Sequence, residues 1–276
     1  MSWRLQVRHI TRFQYESEVT ASFNEARMLP QSDHQQIVLR HEFRVTPVAT
    51  IYEYKDYFGT QVKSFDVQLR HNALEIIAES TVDTTIPSEE GISVTWDALD
   101  QESTRDEFAE YLTYSQLVDP IKSDLNLRSC SSPRDAVAKL NEMIRTQITY
   151  TSGATHVYSP ASEAWAKGAG VCQDFTHASL SLLREAKIPS RYISGYLYTG
   201  NGNIGETVVG ESHSWVEAWV GEWIQFDPTN GRDVTQDHVL VARGRDYHDV
   251  SPLKGIFSGG RSRNTEVIVE LTRLNR

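Results

Sequence analysis

A thiol at the start of a predicted helix is the first group in the sequence with the potential for covalent chemistry. Residues 167–177, KGAGVCQDFTH, place Gly168 and Gly170 just before Cys172. The two glycines permit a tight approach of the backbone before the helix begins. At a helix N-terminus the unpaired N–H groups and the positive end of the dipole favour a thiolate, and the same groups could hold an oxyanion. Cys172 is therefore a candidate nucleophile, although most free cysteines are simply small buried residues.

A hairpin that follows Cys172 in the sequence could supply a base and a carboxylate. The stretch ESHSWVEAWV, residues 211–220, alternates so that His213 and Trp215 share one face of a strand. A turn then leads into the strand WIQFD, which ends at Asp227. A two-residue loop would set Asp227 on the wrong face. A three-residue loop or a bulge would set it opposite Trp215 and diagonal to His213, and we predict this second arrangement.

Cys172, His213 and Asp227 would then form a catalytic triad for acyl transfer. A thiol with an ordinary pKa is only slightly ionised near neutrality, so it needs a base, and His213 is the natural base and later proton donor. Asp227 would hold the imidazole in one tautomer. Taken singly, His213 is typical of a strand histidine and Asp227 of an Asp-Pro turn. The presence of all three residues together favours a catalytic role over these structural ones.

Four further positions are weaker candidates for the site. Trp165 and Trp215 could line the cleft or help to hold an oxyanion, although a core position suits Trp165 better and Trp215 could instead be a packing residue beside His213. Asp174 and His177 follow Cys172 at two and five positions. From there they could fix the helix or the loop opposite it.

The elements around these residues predict an α+β protein with three parts. Residues 1–85 alternate with period two between turn residues and predict an N-terminal antiparallel β-sandwich. Residues 86–130 predict an acidic, helical connecting segment, and residues 131–276 predict the catalytic core. In the core we expect one helix over residues 133–147, a second that starts at Cys172, and an antiparallel sheet after them.

Composition and charge argue against several classes of protein. The net charge is −10, but 11 of the 37 acidic residues lie between Asp83 and Asp124 and there is no basic stripe, so we expect no nucleic-acid partner. No apolar run is long enough for a membrane span, and two cysteines indicate a reducing cytoplasm and no disulfide framework. The motifs H-E-x-x-H and G-x-S-x-G are absent, which argues against a metalloenzyme and a serine hydrolase. We therefore expect no metal and no other cofactor.

Several ordered motifs resemble those of the transglutaminase-like superfamily, in particular a bacterial subfamily with an N-terminal β-domain. In the catalytic part these are ITYTSGAT, KGAGVCQDFTH, IPSRYISGY, HSWVEAWV, FDPTNG and ARGRDYHDVSP, and in the N-terminal part HITRFQY, NEARMLPQ and DYFGTQV. Members of this subfamily are often described as cysteine proteases. The resemblance implies a papain-like core in which Cys172 starts a helix while His213 and Asp227 lie on neighbouring strands. It implies no metal requirement.

Three functions fit these observations. In a cysteine peptidase or amidase water resolves the thioester, and in a transglutaminase or another amine acyltransferase an amine resolves it. A non-catalytic scaffold would instead use the N-terminal domain to bind a partner. The abundance of water favours hydrolysis of a peptide, a protein or a small amide, and the intact triad argues against a scaffold. The sequence leaves the oligomeric state open.

Overall fold

The computed structural model describes residues 2–87, 91–210 and 212–275, so residues 1, 88–90, 211 and 276 of the predicted parts lie outside the described residues. The strands are β1 Ser2–Ala26, β2 Gln36–Thr46, β3 Ile51–Lys55, β4 Gln61–Val67, β5 His71–Thr85, β6 Thr149–Tyr150, β7 Ala169–Gly170, β8 Ser190–Leu197, β9 Thr207–Gly210, β10 Ser212–Trp219, β11 Trp223–Asp227, β12 Arg232–Asp233, β13 His238–Gly244, β14 Leu253–Gly259 and β15 Ser262–Leu274. The helices are α1 Trp96–Asp100, α2 Glu102–Glu107, α3 Ala109–Leu112, α4 Pro133–Gln147, α5 Ala161–Lys167, α6 Cys172–Glu185 and α7 Tyr247–Val250. Within the described ranges, none of these helices has the length and apolar character needed to cross a membrane.

Alternating apolar residues turn the N-terminal strands into a sheet with one buried face. In β5 every second side chain is buried, including Ile76, Ala78 and Val82, because successive side chains of a strand point to opposite faces. β1 lies between β5 and β15 over its first half and between β4 and β14 over its second half. Phe43 of β2 packs against Phe65 of β4, with ring centroids 5.9 Å apart. These strands belong to one continuous antiparallel sheet, because β1 is long enough to run through both halves, and the two separate sheets of the predicted sandwich are not confirmed.

The last two strands belong to the N-terminal sheet and not to the core. The prediction that residues 131–276 form the core is therefore wrong at its C-terminal end, since β14 and β15 both pair with β1. β15 also pairs with β9, and its residues Val269 and Leu271 are buried in a hydrophobic cluster with side chains of the core. The alternation in this part of the sequence predicts a strand correctly but carries no information about which strand lies beside it.

The described residues of the acidic connecting segment form three short α-helices, α1 to α3. Gln101 separates α1 from α2 because its backbone is extended, with ψ of 139°. Phe108 separates α2 from α3 and is buried against Trp219 of β10, with ring centroids 4.7 Å apart. The segment therefore packs against the core sheet through an apolar side chain, while its acidic residues are mostly outside.

The core is built from α4, α5 and α6 and a five-stranded antiparallel sheet of order β12-β11-β10-β8-β13. α6 packs on β8 and β10, and α4 and α5 pack on α6. The Ser132 hydroxyl accepts a hydrogen bond from the Asp135 N–H at 3.1 Å, which caps the start of α4. α6 begins at Cys172 and ends at Glu185. Both predicted helices and the mixed, largely antiparallel character of the fold are confirmed.

The N-terminal sheet and the core share one hydrophobic cluster. Leu5, Val82 and Leu271 of the sheet are buried together with Leu140 of α4 and Phe175 of α6. Covering these side chains removes apolar surface of both parts from water at once, so each part stabilises the other.

Candidate active site

Two glycines bring the chain to Cys172 at the start of α6. Gly168 ends α5 in the left-handed conformation, with φ of 62°, which glycine adopts without a steric penalty. Gly170 then lies so close to Asp174 that a Cβ atom at position 170 would be 2.5 Å from Asp174 Oδ2. β7, which contains Gly170, pairs in parallel with β6. The sequence prediction that these glycines permit a close backbone approach is confirmed.

The first turn of α6 leaves backbone donors beside the thiol. The N–H groups of Asp174 and Phe175 donate to the Val171 carbonyl, whereas the first two helical N–H groups have no intrahelical acceptor. The Asp174 carboxylate accepts hydrogen bonds from the Val171 N–H at 2.7 Å and from the Thr155 hydroxyl at 2.6 Å. Burial raises the pKa of Asp174, and these two hydrogen bonds oppose that effect. Asp174 thus fixes the helix start and a neighbouring loop, as expected from its place two positions after Cys172.

The hairpin of β10 and β11 joins His213 to Asp227. Trp219 pairs with Trp223, so residues 220–222 form a three-residue loop. The register predicted for an odd loop is therefore confirmed, and both side chains lie on the same face. Asp227 Oδ2 is 2.8 Å from His213 Nε2.

The His213 ring also adjoins the Cys172 side chain. Because Nε2 is bonded to Asp227, Nδ1 is the ring nitrogen that remains for the thiol. Burial alone would lower the pKa of His213, but hydrogen bonds to Asp227 and Cys172 outweigh burial and raise this pKa to about 9. The three residues singled out in the sequence thus lie together, with the imidazole between the sulfur and the carboxylate.

Asp227 is fully buried and surrounded by hydrogen-bond donors. Oδ1 accepts hydrogen bonds from the backbone N–H groups of Thr229 and Asn230, at 3.0 and 3.2 Å. Oδ2 accepts one from the Asn230 side-chain amide at 2.6 Å, in addition to that from His213. Burial would raise the pKa of Asp227, but the hydrogen bonds, led by that from His213, hold it far below its usual range. Asp227 is therefore ionised and can orient the imidazole.

His238 is a second imidazole at this carboxylate, and the sequence analysis missed it. Its Nε2 lies 3.3 Å from Asp227 Oδ2 and its Nδ1 lies 2.7 Å from Asp237 Oδ1, so the ring stands between two carboxylates. Asp237 also accepts a hydrogen bond from Arg232 at 2.7 Å. The one signal in the sequence is an aspartate–histidine pair at the start of an apolar run, which does not indicate a partner on another strand.

Comparisons with known proteins assign the chain to a family. Two protein-family models match the chain, Bacterial transglutaminase-like N-terminal region over residues 5–83 and Transglutaminase-like superfamily over residues 123–228. An uncharacterized protein of Mycobacterium leprae is 39% identical in an alignment of 278 positions that covers 99% of each chain. The chain belongs to the transglutaminase-like superfamily. An uncharacterized protein of Mycobacterium tuberculosis, strain H37Rv, is 30% identical over 92% of this chain and 87% of its own length.

A solved structure supports the fold of this transglutaminase-like chain. The crystal structure of a "Putative Cysteine Protease" from Cytophaga hutchinsonii matches it with a TM-score of 0.79 and covers 100% of this chain and 92% of its own. The sequence identity is 22%, so the likeness concerns the fold alone.

The two tryptophans considered for the cleft of this transglutaminase-like protein have other positions. Trp215 is fully buried, stacks on His213 with ring centroids 6.1 Å apart, and donates from Nε1 to Gln225 Oε1 at 3.0 Å. Its assignment to the cleft or an oxyanion site is therefore corrected, because a buried indole with its N–H already bonded supports the imidazole from behind. Trp165 packs on the core and lines a groove of about 520 Å³ between α4 and residues 122–129, which fits the core alternative.

His177 ties α6 to the start of α7. The ring is fully buried, and its Nε2 accepts a hydrogen bond from the Tyr247 N–H at 3.2 Å. Burial lowers the pKa of His177 to about 3, so the ring is neutral and can accept this bond. The contact is of the kind expected for a residue five positions after Cys172, since it fixes a loop against the helix.

One group of described residues offers several donor atoms for a metal ion. One atom each of His213, Asp227 and His238 lies within 4.8 Å of the others. The same atoms already take part in imidazole–carboxylate hydrogen bonds, which account for their arrangement without an ion. The expectation that the reaction of this protein needs no metal stays a prediction.

Proposed function

We propose that this protein is a thiol-dependent amidohydrolase, that is, a cysteine peptidase or amidase, with Cys172 as the nucleophile. One observation carries the proposal: the His213 ring adjoins Cys172 and its Nε2 lies 2.8 Å from the Asp227 carboxylate. Membership of the transglutaminase-like superfamily supports thiol-dependent acyl transfer. The substrates are peptides, proteins or small amides.

The first half-reaction transfers the acyl group to sulfur. The Cys172 thiolate attacks the carbonyl carbon of the amide and forms a carbon–sulfur bond. The His213 imidazolium then gives a proton to the leaving nitrogen as the carbon–nitrogen bond breaks. The products are a free amine and a thioester on Cys172. His213 is left neutral, and its bond to Asp227 keeps the basic nitrogen directed at the acyl group.

The second half-reaction transfers the acyl group to water. His213 takes a proton from a water molecule, whose oxygen attacks the thioester carbonyl. The carbon–sulfur bond breaks, an acid is released, and the thiolate and the imidazolium are restored. An amine in place of water would give transamidation. Hydrolysis is the proposed outcome because water is the more abundant acceptor.

Negative charge develops on the carbonyl oxygen in both half-reactions. The N–H group of Cys172, at the first position of α6, has no intrahelical acceptor and is the natural donor to this oxygen. The positive end of the helix dipole favours the same charge. Of the two oxyanion donors that the sequence analysis considered, the helix N–H groups and a tryptophan, the proposal therefore uses the backbone.

A fluorogenic amide assay tests the proposal. Cys172→Ala should lower kcat/KM by at least about a thousandfold, because removing a nucleophile removes the covalent route. Cys130→Ala is the matched control, since Cys130 is the other cysteine and is also partly exposed, and it should keep the activity. Equal turnover by wild type and Cys172→Ala would contradict the proposal.

Product analysis in the presence of a primary amine separates the two acceptors. A hydrolase should release the free acid even when the amine is abundant. If the main product is instead an amide of the added amine, the reaction is transamidation and not hydrolysis, with Cys172 still as the nucleophile.

A further inference from the structure

A cavity lies between the N-terminal sheet and the core. Its volume is about 490 Å³, which lies within the range of small-molecule sites. Tyr15 of β1 and Phe257 of β14 line it from the sheet. Val157, Tyr158 and Tyr247 line it from the core. Both parts of the molecule are therefore needed to form it.

Two hydrogen bonds attach the walls of this cavity to the helix that carries the nucleophile. Gln173, which directly follows Cys172, donates from its side-chain amide to the Val157 carbonyl at 3.0 Å. His177 accepts the hydrogen bond from the Tyr247 N–H at 3.2 Å. Val157 and Tyr247 both line the cavity, so α6 directly holds two of the lining residues, one of them through the residue next to Cys172.

Aromatic rings dominate the chemistry of the cavity. The rings of Tyr15 and Phe257 are in contact, with centroids 5.1 Å apart. Tyr158 is 69% exposed and Phe257 is 41% exposed, so an incoming group can reach both. Rings that are accessible in a concave site gain free energy when an apolar group covers them.

The two rim residues that can carry a positive charge, Lys254 and His248, each lie near a carboxylate. Lys254 lies opposite Glu25 in the pairing of β14 with β1. His248 Nδ1 is 3.8 Å from Asp246 Oδ1. Asn24 adds an uncharged amide to the wall. The cavity therefore suits an uncharged group better than an ionised one.

We propose that this cavity is the subsite for an aromatic or large apolar side chain of the amide that Cys172 attacks. The inference rests on the proposed function, because it takes Cys172 as the reacting group. The N-terminal sheet then determines substrate preference, since it supplies Tyr15 and Phe257 while the core supplies the nucleophile. A small side chain leaves the rings uncovered and binds less tightly.

Binding to the Cys172→Ala protein tests the subsite without turnover. N-acetylphenylalaninamide should bind at least about tenfold more tightly than N-acetylalaninamide, because only the phenyl ring covers the aromatic walls. Phe257→Ala and Tyr158→Ala in the same background should remove this difference. Phe23→Ala and Tyr52→Ala are matched controls, because these rings are 45% and 66% exposed and lie outside the cavity. Both control variants should keep the difference in affinity between the two amides.

Turnover by the otherwise unmodified enzyme then separates this inference from the proposed function. A fluorogenic phenylalanine amide should have a kcat/KM at least about tenfold above that of the alanine amide. Phe257→Ala should lower the value for the phenylalanine amide, and Phe23→Ala should not. Equal binding of the two amides to Cys172→Ala overturns the subsite, even if turnover depends on Cys172. Selective binding with no turnover by wild type overturns the proposed function and leaves an apolar binding site.

Discussion

At the scale of single residues, the Asp227 carboxylate is the group that orients the site. One of its oxygens is held by two backbone N–H groups, and the other is shared by the imidazoles of His213 and His238. A carboxylate that is fixed from both sides keeps the His213 ring in one orientation, so little reorganisation is needed before the ring moves a proton. His238 is in this sense a positioning residue for Asp227.

The charge on His213 should make the stability of the protein depend on pH. Its pKa in the folded protein is about 9, above the value of about 6.5 that an imidazole has in an unfolded chain. The imidazolium therefore stabilises the folded state fully below about pH 6.5, and this contribution is lost as the pH rises through about 9. Between pH 6 and pH 10, urea denaturation should show the unfolding free energy of wild type falling by about 1–3 kcal/mol more than that of His213→Gln.

The comparison of the two proteins isolates His213, because lysines, tyrosines and thiols elsewhere titrate equally in both. Cys172→Ala should give an intermediate pH dependence, since the sulfur is one of the two partners that raise the pKa of His213. Parallel profiles for wild type and His213→Gln would mean that the imidazolium is not stabilised in the folded state.

At the scale of elements, the turn from β7 into α6 decides where the sulfur lies. Asp174 closes this turn by accepting the Val171 N–H, and Gly170 lets the Asp174 side chain approach the backbone. The position of Cys172 at the first residue of the helix thus depends on a glycine and a buried carboxylate.

Gly170→Ala should disturb this turn. The added methyl carbon would lie 2.5 Å from Asp174 Oδ2 and 2.6 Å from Asp174 Cβ, so the helix start must shift. We expect a loss of about 1–3 kcal/mol in the free energy of unfolding, from urea denaturation, and slower alkylation of Cys172 by iodoacetamide. Gly210→Ala is the control, because a Cβ atom there meets nothing within 4 Å. The same small effect from both substitutions would refute the steric argument.

At the scale of the whole molecule, the N-terminal sheet is a structural part of the core. The Gln36 side chain donates to the Leu240 carbonyl at 2.7 Å and accepts from the Leu240 N–H at 2.9 Å, so one buried amide completes the backbone bonding of β13. Deleting residues 1–82 would also leave β14 and β15 without β1. A soluble core of residues 131–276 alone is therefore not expected.

Gln36→Leu should destabilise both parts together. The substitution leaves the Leu240 N–H and carbonyl buried without partners, which costs about 2–4 kcal/mol. Urea denaturation followed by tryptophan fluorescence and by circular dichroism should give one shifted transition with both probes. Gln61→Leu is the control, because the Gln61 amide bonds only an exposed Glu53 carboxylate, and it should change stability little. Two separate transitions would show that the parts fold independently.

The sequence by itself determined the local features of the site. Glycine spacing and the apolar pattern after it placed Cys172 at a helix start. The sequence allowed a two-residue or a three-residue loop before β11, and the prediction of the three-residue loop, which puts Asp227 on the face of His213, was correct. A serine followed by proline located the start of α4. These features follow from turn geometry and from periods of 2 and 3.6 residues, which act over short stretches of chain.

Only the tertiary structure decided which distant segments meet. It brought His238 to the Asp227 carboxylate, buried Trp215 behind His213, and paired β15 with β1. A strand pattern specifies which face is buried but not the neighbouring strand, and a tryptophan suits a core as well as a cleft. Such pairings depend on how surfaces fit across the folded molecule, and no short stretch of sequence contains that information.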